Sequence, residues 1–161
     1  MTIKAGDHLP KVNFKKATES GGQDINSGDF FKNKKTILFG LPGAFTPVCS
    51  AKQLPGFIAN DAALKAKGID QVACISVNDA FVMQAWAKDQ KTQDKVVMLA
   101  DGNADFTKAV GLELDASGHG MGIRSQRYVM VVNDGIVESV HVEPSASSCE
   151  ISSAEGILAT L

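Results

Sequence analysis

An α/β fold, a three-layer sandwich around a mixed β-sheet, follows from three features of this sequence. Short apolar runs rich in β-branched residues recur along the chain, helix-like segments separate them, and Asn133-Asp134-Gly135 divides the last two runs. Apolar runs without alternation suit strands buried on both faces, and burial on both faces needs helices above and below the sheet.

The elements follow in order. Thr36-Ile37-Leu38-Phe39-Gly40 is the first such run, and a helix over 48–66 comes next, with Leu54, Phe57 and Ile58 at i, i+3 and i+4. Pro55 inside that helix predicts a kink, because its ring meets the preceding turn and it donates no N–H. Val72-Ala73-Cys74-Ile75-Ser76-Val77 is the second strand, followed by a helix over 79–89 opened by Asp79 as a cap. Val96-Val97-Met98-Leu99-Ala100 and a helix over 104–110 come next, then the strand Tyr128-Val129-Met130-Val131-Val132. Asp-Gly between strand-like runs signals a hairpin, so 136–142 pairs antiparallel with 127–132. A last helix over 152–161 follows a Ser-rich loop. Short connections and a terminal hairpin-plus-helix make this sandwich thioredoxin-like in kind.

Composition bounds the function. At 161 residues, 44% hydrophobic and 21% charged, residues 1–161 read as one domain. A formal net charge of -2, spread along the chain, gives no electrostatic footprint for nucleic acid or an anionic membrane. No run approaches the ~18 apolar residues of a spanning helix, and Met1-Thr2-Ile3-Lys4-Ala5-Gly6-Asp7 has no signal-peptide core, so a cytoplasmic location is expected. A mitochondrial or peroxisomal location remains open through a presequence, although Ala159-Thr160-Leu161 is not the Ser-Lys-Leu address. Cys49, Cys74 and Cys149 form neither an even disulfide framework nor Cys-x-x-Cys, and His8, His119 and His141 are scattered, so neither metal nor cofactor is expected.

The chemically informative stretch is Leu41-Pro42-Gly43-Ala44-Phe45-Thr46-Pro47-Val48-Cys49, which joins a buried strand to a helix start. Thr46 suits the N-cap and Pro47 the first helical position, so Cys49 falls in the first turn, where free N–H groups and the helix dipole favour a thiolate. That makes Cys49 a candidate nucleophile. A thiol with the ordinary pKa of ~8.5 is about 3% ionised at pH 7, so full ionisation adds only ~2 kcal/mol. A fast thiol enzyme therefore also needs donors that position substrate and stabilise departing charge, and Thr46, the Cys49 N–H and an arginine are suitable types.

Pro42-x-x-x-Thr46-x-x-Cys49 resembles the active-site signature of the peroxiredoxins, specifically the type II or fifth-class branch of atypical two-cysteine members. The likeness runs through Leu54-Pro55-Gly56-Phe57, Ser76 to Val82, Leu99-Ala100-Asp101, Arg127-Tyr128 and Val142-Glu143-Pro144. The resemblance implies that Cys49 is the peroxidatic cysteine, that Pro42 shields it, that Thr46 holds the peroxide, and that Arg127 stabilises thiolate and transition state. Arg124 is the rival guanidinium, otherwise expected as a solvated loop charge. Cys149, in Ser145-Ala146-Ser147-Ser148-Cys149-Glu150, corresponds to the resolving cysteine of animal-like members. Cys74 reads as a core residue, yet in plant-like members a cysteine at this place is credited with resolution. The implied activity is thiol-dependent reduction of hydrogen peroxide and alkyl hydroperoxides. Thioredoxin is the expected reductant, glutaredoxin or glutathione the next, and a homodimer the expected assembly. A peroxide sensor or redox relay of the same fold is the alternative.

Other chemistries fit less well. A cysteine phosphatase places an arginine at the sixth residue after its nucleophile, and here that residue is Pro55. Gly118-His119-Gly120-Met121-Gly122 reads as a flexible turn rather than a phosphate loop, with no strand expected before it.

Overall fold

The computed structural model describes the whole chain, Met1–Leu161. Strands β1 (Asn13–Thr18), β2 (Gly21–Asn26), β3 (Lys35–Leu41), β4 (Gln71–Ser76), β5 (Val97–Ala100), β8 (Tyr128–Asn133) and β9 (Ile136–Val142) form one seven-stranded sheet in the order β2-β1-β5-β4-β3-β8-β9. The three central strands β3, β4 and β5 run parallel, and β8 is antiparallel to β3, so the sheet is mixed. A separate two-stranded ribbon joins β6 (Glu113–Asp115) to β7 (Ile123–Ser125).

Alternation along the buried strands creates the layers. Ile37, Phe39 and Leu41 of β3, Val72 and Cys74 of β4, and Val129 and Val131 of β8 point to one side. There they meet Leu54 and Phe57 of α2 (Leu54–Ala59), Leu64 of α3 (Asp61–Ala66), Met83 and Trp86 of α4 (Ala80–Gln90) and Ile157 of α6 (Ala154–Leu158). Phe39 stacks on Phe57 with ring centres 4.1 Å apart. The intervening Leu38, Ala73, Ile75, Tyr128, Met130 and Val132 face the other side, against Phe31, next to α1 (Ser27–Phe30), and Phe106 of α5 (Asp105–Ala109).

Three sequence expectations change. The helix expected over 48–66 is not continuous: Cys49–Gln53 is a π-helical turn, and Asn60 divides α2 from α3. Leu54 N–H donates to the Cys49 carbonyl five residues back, and this wider turn precedes Pro55, which an ordinary α-turn would crowd. The hairpin β1–β2 was not anticipated, because its polar residues carry little strand signal and only Phe14 of the pair is buried. A strand does precede Gly118: the glycine-rich stretch, with a 3₁₀ turn at Ser117–His119, links β6 to β7. The α4 cap is as expected, Asp79 accepting from Val82 N–H at 2.8 Å.

Candidate active site

The loop after β3 carries Cys49 to a fixed place. Asn78 Oδ1, beyond the end of β4, accepts from Ala44 N–H at 2.9 Å and from Ser76 Oγ at 2.6 Å, which ties the loop to the neighbouring strand. Phe45 takes a left-handed conformation, φ 64°, and reverses the chain. The Thr46 hydroxyl donates to the Gly43 carbonyl at 2.7 Å, leaving its oxygen lone pairs free to accept. The helix begins at Pro47, and its first i→i−4 bond runs from Ser50 N–H to the Thr46 carbonyl at 3.0 Å. The Cys49 N–H is one of the first-turn donors without an intramolecular acceptor.

Cys49 is fully buried, and one protein donor reaches its sulfur: Arg127 Nη1, at 3.1 Å. Arg127 lies just before β8, the strand adjacent to β3, and is itself buried. A buried guanidinium needs its donors filled. Nη1 also donates to Gln53 Oε1 at 2.7 Å, while Nε and Nη2 donate to the Ala146 carbonyl at 3.1 and 2.9 Å. Cationic hydrogen bonding stabilises negative charge on the sulfur without requiring the side chain to move.

Gln53 is a site residue that the sequence reading missed. It is fully buried one turn after Cys49, and its amide donates to the Tyr128 carbonyl at 3.5 Å and the Ser152 carbonyl at 3.3 Å. A polar residue among the apolar positions of the helix, on the cysteine's own face, was the available signal.

Arg124 is not the solvated loop charge expected. It lies half-buried on β7, donating from Nε to the Met121 carbonyl at 3.0 Å and from Nη1 to the Pro42 carbonyl at 3.2 Å. Its guanidinium lies against Gly43, so it braces the loop wall and makes no bond to sulfur. Pro42 is buried in that wall.

The other two thiols differ. Cys74 sits in the middle of β4 between Phe39 and Met98, in the same apolar cluster as Cys49, and is fully buried. Burial first, and the nearby Cys49 sulfur second, push its thiol well up, with Arg127 opposing. Cys149 is half-buried in the loop between β9 and α6. Burial raises its thiol too, with Arg127 opposing and the nearby Glu143 carboxylate adding to the rise. All three thiols are free. No helix is long and apolar enough to cross a membrane.

Residues 4–158 match the Redoxin family model. The chain is 44% identical to the chloroplastic peroxiredoxin-2E of Arabidopsis thaliana over 99% of its own length and 70% of that protein. Among solved structures, reduced Prx3 of Vibrio vulnificus in complex with hydrogen peroxide superposes with a TM-score of 0.93 at 46% identity, covering 99% of both chains. Peroxiredoxin 5 of Alvinella pompejana gives 0.87 at 35% identity, over 98% of this chain and 97% of that one.

Proposed function

The chain belongs to the redoxin family and, within it, to the type II peroxiredoxins, which are thiol peroxidases; on that premise we propose that Cys49 is the peroxidatic thiolate and Cys149 the thiol that resolves it. The observation that carries the first half is the 3.1 Å contact between the Arg127 guanidinium and the Cys49 sulfur, buried together where a helix begins.

The thiolate attacks one peroxide oxygen, the S–O bond forms as the O–O bond breaks, and the departing alkoxide or hydroxide takes a proton to leave as alcohol or water. Arg127 is aimed at the charge that moves from sulfur to oxygen. The Thr46 oxygen accepts from the peroxide and the Cys49 N–H donates to it on this reading, which the free lone pairs of the one and the unfilled bond of the other support. Pro42 and Arg124 hold the wall that keeps bulk water from the sulfur.

The Cys149 sulfur then attacks the Cys49 sulfenic sulfur. The S–S bond forms, the S–O bond breaks, and hydroxide leaves with a proton as water. Because Cys49 is buried in the first helical turn and Cys149 lies across a loop, this step requires local unwinding around Cys49. An external thiol reductant returns both thiols and is itself oxidised to a disulfide, with the dithiol thioredoxin as the first choice and glutaredoxin or two molecules of glutathione next. The hydrogen peroxide in the Vibrio relative supports that oxidant as a substrate, with alkyl hydroperoxides in the same class. The protein works as a homodimer in the cytoplasm on this reading.

Cys74 is a second resolving candidate, because it shares the apolar cluster of Cys49. Peroxide turnover with thioredoxin, measured for the parent, Cys49→Ser, Cys74→Ser and Cys149→Ser, separates the two, together with mass mapping of the oxidised protein. Turnover is abolished in the first variant, near normal in the second and lost in the third. A mapped Cys49–Cys74 disulfide overturns the role of Cys149, and one equivalent of peroxide consumed without turnover replaces the enzyme by a relay.

A further inference from the structure

Glu143, the residue directly after β9, whose N–H donates to the Arg127 carbonyl at 2.9 Å, carries an acidic side chain that the peroxide step does not use. It is 6% exposed and has no cationic partner within salt-bridge range. Its carboxylate instead collects donors from a single loop. Oε1 accepts from Ser148 Oγ at 3.2 Å, and Oε2 accepts from Glu150 N–H at 2.8 Å, Ser152 N–H at 2.7 Å and Ser152 Oγ at 2.6 Å.

These bonds straddle Cys149. Ser148 is held on one side and Glu150 on the other, so the intervening residue keeps little freedom beyond rotation of its own thiol. Upstream, the same loop is held at the Ala146 carbonyl by Arg127, which also donates to the Cys49 sulfur. Downstream, it is held at the Ser152 carbonyl by Gln53, which accepts from Arg127. Two thiols far apart in sequence are thus referred to one guanidinium, and Glu143 closes the frame around the second. The Glu143 carboxyl itself is lowered: burial works to raise it, but the bonds from Ser152, Glu150 and Ser148 prevail, so it is ionised at neutral pH.

We propose that Glu143 is a positioning residue for disulfide formation, its carboxylate holding the Ser148 hydroxyl before Cys149 and the Glu150 and Ser152 N–H groups after it, so that this thiol stays within reach of the Cys49 sulfenic acid. The inference rests on Cys149 being the resolving thiol. Pinning the loop raises the effective concentration of one sulfur at the other, while the chemistry at Cys49 is untouched. Released from Glu143, the loop presents Cys149 in many orientations, and the sulfenic acid persists long enough for a second peroxide to convert it to sulfinic acid.

Rapid-quench mass analysis of the full chain after one equivalent of hydrogen peroxide reads the two steps separately. In Glu143→Ala, oxidation of Cys49 stays within about twofold of the parent while formation of the Cys49–Cys149 disulfide slows about tenfold or more. Sulfinic acid then accumulates at roughly tenfold lower peroxide. Glu143→Gln, which keeps an acceptor for the backbone donors, restores disulfide formation to within about threefold. If Glu143→Ala does not fold, Ser148→Ala carries the test with a smaller slowing of the same step, about threefold. Disulfide formation at the parental rate in these variants, or an equal fall in both steps, overturns the proposal. The outcome is distinguishable from failure of the underlying reading: if Cys149→Ser still forms an internal disulfide at the parental rate, it is Cys149's role that fails.

Discussion

Arg127 directs four of its five N–H donors to three acceptors at once, the Cys49 sulfur, the Gln53 amide oxygen and the Ala146 carbonyl. A lysine has the charge but not the planar fork, so Arg127→Lys is expected to lower the rate of peroxide reduction by about 10²-fold, read as kcat/KM, and not to behave as a conservative change. Retention of the parental rate in Arg127→Lys would show that charge alone suffices. The raised Cys149 thiol has the opposite consequence for the second step. Burial, the largest influence, keeps it protonated at neutral pH, so disulfide formation accelerates about tenfold per pH unit as pH rises toward its ionisation. A flat profile of the second step between pH 6 and pH 8, roughly the span in which an unperturbed thiol begins to ionise, contradicts this. Tyr128 supplies a test of packing. Its hydroxyl is buried without a partner, and a Cβ on Gly40 would overlap its ring. Tyr128→Phe is therefore expected to raise stability to denaturant by about 1 kcal/mol, whereas Gly40→Ala lowers it by about 3 kcal/mol or more.

At the scale of elements, the helix carrying Cys49 is interrupted where the chemistry needs it. The π-turn over Cys49–Gln53 brings Cys49 and Gln53 to the same guanidinium, and the break at Asn60 lets α3 pack Leu64 independently. The sequence made the helix start legible, because Thr46 and Pro47 are local signals read within one turn. The π-turn was not legible, since Pro55 predicts a distortion but not whether the chain kinks, widens or stops. The loop before α6 has its own pH dependence. A carboxyl held low by bonds in the folded state contributes stability above its unfolded value of ~4.3, and loses it as pH falls through the lower folded value. The Glu150 and Ser152 amides are accordingly protected from exchange at neutral pH, and their protection relative to an unstructured amide at the same pH is expected to fall below about pH 4, before global unfolding. Exchange that changes there only in step with the whole chain would show that the Glu143 bonds are not a separate unit.

For the whole molecule, one sheet supplies both apolar clusters, so neither face can lose its helices without exposing the strands that serve the other. Unfolding is expected as a single cooperative transition, with calorimetric and van't Hoff enthalpies equal. Two resolved transitions would argue for separable units. What the sequence determined by itself was whatever depends on neighbours within a few residues: the buried central strands from their apolar runs, the Asp-Gly hairpin, the Asp79 cap, and Cys49 in a first helical turn. Arg127 was named beforehand only through resemblance, since periodicity could not separate it from Arg124. Tertiary structure alone decided that Arg127 reaches the sulfur while Arg124 braces the Pro42 wall, that Gln53 locks Arg127, and that Glu143 holds the loop of Cys149. The physical reason is range. Helix starts and turns are set by local backbone geometry, whereas a buried polar group must find partners wherever the fold brings them, here from residues 74 and 78 positions away along the chain.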